Sequence, residues 1–198
     1  AAGNATALTI NPAVLNVSVS RPYDGTNTFT SGFTLTGTTY NSDAMPTVTS
    51  GSITVASANA AGYNSANTNT LALSNSNYTL TGGTVSSTIA KKTVTLSASK
   101  TYDGTQDLTG AITVGTGVVG ESLTYSGATA SNAHVTTASK YISAITIGNG
   151  AGGLASNYQL PATLDASTAP LSITPATLTP TITNTGVTKV YDGSATAI

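Results

Sequence analysis

The tripeptide Tyr-Asp-Gly occurs three times, as Tyr23-Asp24-Gly25, Tyr102-Asp103-Gly104 and Tyr191-Asp192-Gly193, at spacings of 79 and 89 residues. A cation stands two positions before each tyrosine: Arg21, Lys100 and Lys189. A second landmark keeps step. Ser-Asn-Tyr recurs at 76–78 and 156–158, so the interval between the two marker tyrosines of a unit is 55 and then 56 residues. A third is the hinge Ile-Asn-Pro-Ala from Ile10, Ile-Ala-Lys-Lys from Ile89 and Ile-Thr-Pro-Ala from Ile173, lying 13, 13 and 18 residues before the respective Tyr-Asp-Gly. Landmarks in register at a fixed period mark a repeat protein, in which each period is one folding unit. The chain divides into 1–10, a linker or strand of a preceding unit, repeat one at 11–89, repeat two at 90–173, and the incomplete start of a third at 174–198.

Within each unit the side chains alternate. Val94, Leu96 and Ala98 are separated by Thr95 and Ser97, and Ile145 and Ile147 flank Thr146. Period two with one apolar face is the signature of a half-buried strand. The polar residues are mostly Thr, Ser, Asn and Gly, suited to sheets and tight turns, and only 7% of the chain is charged. The expectation is an all-β fold: a rod of small antiparallel β-sandwiches of Ig-like form, or of β-grasp-like repeats. The one segment with helical content is the Ala/Asn-rich 55–67, weakened by Gly62 and several Asn. Tyr78 and Tyr158 each follow a turn-forming run and begin a strand, the placement of a tyrosine corner, in which a buried ring sends its hydroxyl back to upstream backbone.

Charge excludes several functions. Six scattered basic residues and a net charge of -1 cannot neutralise a phosphate backbone or hold an anionic membrane. No run approaches the length of a bilayer span, so neither nucleic acid nor membrane insertion is expected. The absence of cysteine removes disulfides and thiolate chemistry. Two environments fit that absence, a reduced cytosol and the long disulfide-free proteins that bacteria export, and the low charge with the richness in Thr and Asn favours the second.

The candidate sites read as structure. Asp-Gly after a strand is a tight-turn signal, because glycine takes positive φ freely and the aspartate accepts local amides; the preceding cation is placed to bridge it. His134 is the only histidine, and Glu121 and Asp107 share its unit without metal-ligand or acid–base spacing. Seven scattered acids form no calcium loop, and Gly-Asn-Gly-Ala-Gly-Gly from Gly148 lacks the Lys-Ser/Thr of a phosphate loop. No catalytic residue, cofactor or metal is expected, and the chain is not read as an enzyme. Sequons at Asn4, Asn16 and Asn77 offer glycan acceptors.

On Arg-Pro-Tyr-Asp-Gly-Thr at 21–26, Lys-Thr-Tyr-Asp-Gly-Thr at 100–105, Lys-Val-Tyr-Asp-Gly-Ser at 189–194, the Ser-Asn-Tyr-x-Leu segments and the Ile-Thr-Pro-Ala hinge, the chain resembles the YDG and MBG repeat domains of large bacterial adhesins of the filamentous haemagglutinin type. That resemblance implies a secreted or cell-surface location and two-partner secretion. It also implies a structural stalk or spacer segment in attachment, aggregation or biofilm, partnered by neighbouring repeats of the same protein. Pro12, Pro175 and Pro180 are read as stiffeners between units. Two alternatives stand beside it. One is a filament subunit that self-associates by β-strand addition. The other is a carbohydrate-binding module that stacks polysaccharide on Tyr40, Tyr63, Tyr125 or Tyr141.

Overall fold

The computed structural model describes residues 9–64, 70–181, 183, 186 and 188–193. The described chain is all-β apart from one turn of 3-10 helix at Ala155–Asn157. In the first unit the strands are β1 (Ala13–Val14), β2 (Asn16–Pro22), β3 (Thr28–Phe29), β4 (Thr34–Thr36), β5 (Val48–Ser50), β6 (Ile53–Thr54), β7 (Ala61–Tyr63), β8 (Ala72–Leu73), β9 (Tyr78–Thr79) and β10 (Val85–Ala90). The second unit has β11 (Lys92–Thr93), β12 (Thr95–Thr101), β13 (Ile112–Gly115), β14 (Leu123–Ala130), β15 (Ile142–Asn149), β16 (Tyr158–Gln159) and β17 (Leu171–Thr174).

Alternation decides which face each long strand buries. Leu15, Val17 and Val19 point into the first core, and Val94, Leu96 and Ala98 into the second, while the intervening Ser and Thr residues face outward. Phe29 and Leu108, 79 positions apart, are both fully buried in the same cluster. The inward stripe ends in each unit on the cation before Tyr-Asp-Gly.

The pairing order determines how units join. The main sheet of unit one runs β4-β2-β10-β7, with the long strand β2 parallel to the last strand β10, from Val17↔Val85 to Pro22↔Ala90. Unit two repeats this with β13-β12-β17, where Lys100 pairs Ile173 and Thr101 pairs Thr174 in parallel. A last strand parallel to the first leaves the unit at the end opposite to where the chain came in. The trailing pole of each unit therefore carries its Tyr-Asp-Gly turn: the Tyr23 amide donates to the Ala90 carbonyl and the Tyr102 amide to the Thr174 carbonyl, both at 2.8 Å. The leading pole carries the Asn-Tyr marker through a short parallel pair, Ala13↔Tyr78 in unit one and Lys92↔Tyr158 in unit two.

Among the described residues every ladder stays within its own unit. The buried residues nevertheless form one continuous cluster, because the Tyr23 ring of unit one meets the Tyr158 ring of unit two edge to face at 5.5 Å. No turn interrupts the extended run from Val85 through Thr101, and it contains no proline. The prolines read as stiffeners are thus absent from this connection, and the contact between poles takes their place. The Ala/Asn-rich segment forms turns and β7 rather than a helix over 55–64, and its remainder, 65–67, lies outside the described residues. Most of the leading linker, 1–8, lies outside them too, including the Asn4 sequon. Over 175–193 the described residues contain no strand, and Leu178, Val190 and Tyr191 are exposed.

Candidate functional site: the joint between the two units

The Tyr-Asp-Gly turn is wired from its own residues. One oxygen of Asp24 accepts the Thr26 amide and hydroxyl, both at 2.8 Å, and Asp103 does the same with Thr105 at 2.9 Å. Each aspartate is ion-paired to the cation three residues earlier, Arg21 to Asp24, Lys100 to Asp103 at 2.7 Å and Lys189 to Asp192 at 2.8 Å. Gly25, Gly104 and Gly193 sit at φ of +84°, +78° and +80°, a region a β-carbon disfavours by about 1–2 kcal/mol. Lys100 and the Thr105 amide hold Asp103 down to about 2. Burial pushes Asp24 upward, but Thr26 and Arg21 outweigh it and leave it below the usual carboxylate range.

Both cations complete the turn from inside. Arg21 donates to the Thr26 carbonyl at 2.7 Å and lies over the Phe29 ring at 4.7 Å, whereas Lys100 donates to the Asp107 carbonyl at 2.7 Å. Such a cation can bury its stem while its head serves the turn.

What distinguishes the first turn is its neighbour. The Tyr23 hydroxyl donates to Glu121 Oε1 at 2.6 Å, and the Tyr158 hydroxyl donates to Oε2 of the same carboxylate at 2.7 Å. One carboxylate thus binds a tyrosine from each unit. Hydrogen bonds to a charged acceptor are short and contribute about 1.5–3 kcal/mol each. Glu121 is aimed by the turn at 118–121, where its amide donates to the Val118 carbonyl at 3.3 Å and its carbonyl accepts the Thr116 hydroxyl at 3.0 Å. Burial first, then the Glu121 carboxylate, raises both Tyr23 and Tyr158 above the ordinary phenol range, so both remain neutral donors.

Asn157 makes the second clasp. Its side-chain oxygen accepts the Ala60 amide at 2.9 Å and its nitrogen donates to Asn59 Oδ1 at 3.1 Å, with only 1% of the residue exposed. Gly25 faces Val118 so closely that an added β-carbon would lie 3.2 Å from its methyl.

Tyr78 shows the same wiring at the leading pole of unit one. Its hydroxyl donates to Asp43 Oδ2 at 3.0 Å and accepts the Tyr40 amide at 2.9 Å. In both units the marker ring is buried at the start of a strand and its hydroxyl donates to a carboxylate 35 or 37 residues upstream, while Tyr78 also takes upstream backbone, the Tyr40 amide. The backbone bond of a tyrosine corner is thus present at Tyr78, and the carboxylate is the added partner in both units. The reason is the turn preceding β14, and its counterpart at 40–43, which brings an acid to each leading pole.

The remaining sequence candidates are dispersed. Tyr63 and Tyr125 lie in strands with hydroxyls committed to the carbonyls of Asn59 and Leu108, Tyr141 is half-buried, and Tyr40 is exposed on a turn. His134 is exposed, with its amide donating to Asn132. Asp107 accepts the Thr109 amide and hydroxyl in its own small turn. Among the described residues no three His, Asp or Glu side chains group as metal ligands. Glu121, Asp43 and Asn157 had no assigned place in the joint from sequence. Their signal was register: the two acids stand 78 residues apart in a chain holding only seven. The chain matches no family model, no curated protein and no solved structure.

Proposed function

We propose that the chain is a stalk segment whose repeats are locked pole to pole, a structural spacer of an exported bacterial adhesin that serves attachment, aggregation or biofilm. The observation that carries the spacer reading is the Glu121 carboxylate shared by Tyr23 of one unit and Tyr158 of the next. Neighbouring repeats are thereby held by side chains at repeat-specific positions, which limits bending without a proline hinge. The adhesin setting and surface location rest on the sequence resemblance. The central parallel pair in β4-β2-β10-β7 supports a β-grasp-like repeat over an Ig-like sandwich. Both edge strands of that sheet, β4 and β7, are three residues long, poor templates for strand addition.

Two measurements test the reading. In small-angle scattering a locked tandem has a radius of gyration above the about 16 Å of a compact domain of this length. On a glycan array and against biofilm polysaccharide the spacer stays at background. Binding that disappears in Tyr40→Ala would replace it with a carbohydrate-binding module.

A further inference from the structure

The two poles left over from the internal joint are complementary halves of the same joint. At the leading pole of unit one, the turn at 40–43 closes with the Asp43 amide donating to the Tyr40 carbonyl at 2.9 Å, as the 118–121 turn does in unit two. Asp43 then takes the Tyr78 hydroxyl, as Glu121 takes that of Tyr158. The correspondence stops at the outer oxygen. Glu121 gives its second oxygen to Tyr23, whereas Asp43 Oδ1 has no hydrogen bond among the described residues. Asn77, counterpart of the buried clasp Asn157, is exposed. A cavity of about 580 Å³ lies there, lined by Ile10, Pro12, Tyr40, Asp43, Asn77 and Tyr78. Ile10 is 84% exposed, although its repeat counterparts Ile89 and Ile173 are buried.

At the trailing pole of unit two the other half stands open. Tyr102 has the backbone anchor and turn of Tyr23, yet it is 38% exposed where Tyr23 is 5% exposed. An added β-carbon at Gly104 would meet nothing, whereas at Gly25 it meets Val118.

We propose that the Asp43–Asn77–Tyr78 face is a socket for the Tyr-Asp-Gly turn of another repeat of this type and that Tyr102 belongs to the matching plug, a pairing that a second copy of this chain can supply in trans. The proposal rests on the spacer reading and gives it a partner site. A plug and socket at opposite poles form a heterologous contact, which propagates instead of closing. Tyr102 reaches Asp43 Oδ1 with its hydroxyl and lays its ring edge against Tyr78, as Tyr23 does with Glu121 and Tyr158.

Complementary variants test it. Tyr102→Ala retains only the socket and Asp43→Ala only the plug; Asp43→Asn serves as a second plug-only variant that keeps an acceptor for Tyr78. Isotope-labelled Tyr102→Ala is titrated with unlabelled Asp43→Ala to about 1 mM, the effective concentration a short tether gives a neighbouring module. The expected result is saturable amide shifts at Tyr40, Asp43, Asn77 and Tyr78, repeated with Asp43→Asn and lost when the added partner also carries Tyr102→Ala. Shifts no larger than with that double variant, or centred on another face, overturn the socket. The internal Tyr23–Glu121–Tyr158 joint, and the spacer reading with it, is tested separately within the single chain.

Discussion

The turns at Tyr23 and Tyr102 have the same internal wiring and opposite surroundings. Each aspartate accepts the amide and hydroxyl of a threonine two residues on, each pairs with a cation three residues back, and each glycine is left-handed. Tyr23 is nonetheless buried against the next unit and Tyr102 is open. The turn is a local product of its own sequence, while the burial of its tyrosine is conferred by whatever follows in space. One motif therefore does two jobs: it bends the chain and it offers a ring to the neighbour.

Substitutions can separate the jobs. The largest difference is expected at the rings: Tyr23→Ala lowers unfolding free energy by about 3–5 kcal/mol, as for other buried aromatics, and Tyr102→Ala by about 1 kcal/mol. Urea unfolding measures both, and equal losses would break the comparison. Next come the acids. Glu121→Ala leaves two buried phenols without an acceptor and costs about 2–4 kcal/mol. Asp43→Ala deprives one phenol that still accepts the Tyr40 amide, for about 1 kcal/mol. The glycines follow: Gly25→Ala and Gly104→Ala each pay about 1 kcal/mol for the left-handed backbone, and Gly25→Ala loses more because of Val118 at 3.2 Å. A larger loss at Gly104 would contradict the docked arrangement.

The smallest effects are in pH. Tyr23 and Tyr158 have raised folded values. Their contribution is fully present below the ordinary phenol value of about 10 and falls away as pH rises beyond it, because the unfolded phenols release protons first. Alkaline melts should steepen above that point, and Tyr23→Phe should flatten the slope. At the acid end Asp103 is held to about 2. Its contribution is present above the ordinary carboxylate value near about 3.9 and is lost as pH falls towards the folded value; Lys100→Met should reduce that loss in acid melts.

Much of the fold was legible because the repeat imposes itself three times. Alternation at Val94, Leu96 and Ala98 identified the buried face of β12, and the Asp-Gly pairs located the turns. The parallel pairing of β2 with β10 was not legible, since nothing local in Val85–Ala90 says which strand it joins, and that pairing decides which pole carries which marker. Glu121 escaped for a related reason. A lone acid between Gly120 and Ser122 looks like an ordinary loop residue until a tyrosine 98 positions earlier is folded onto it. The helical content of 55–64 yielded to β7, whose residues 61–63 pair with Ser87–Ile89, an instance of tertiary pairing overriding weak local preference.

The central claim is that the Glu121 carboxylate locks the two units into one fixed orientation. The chain has no cysteine, so spin labels placed at exposed Ser31 and Ala162 report the distance between units by pulsed electron resonance without background. The lock predicts one narrow distance distribution in the parent chain that broadens in Glu121→Ala while each unit keeps its own fold. A distribution already broad in the parent, or one that Glu121→Ala leaves unchanged, would contradict it.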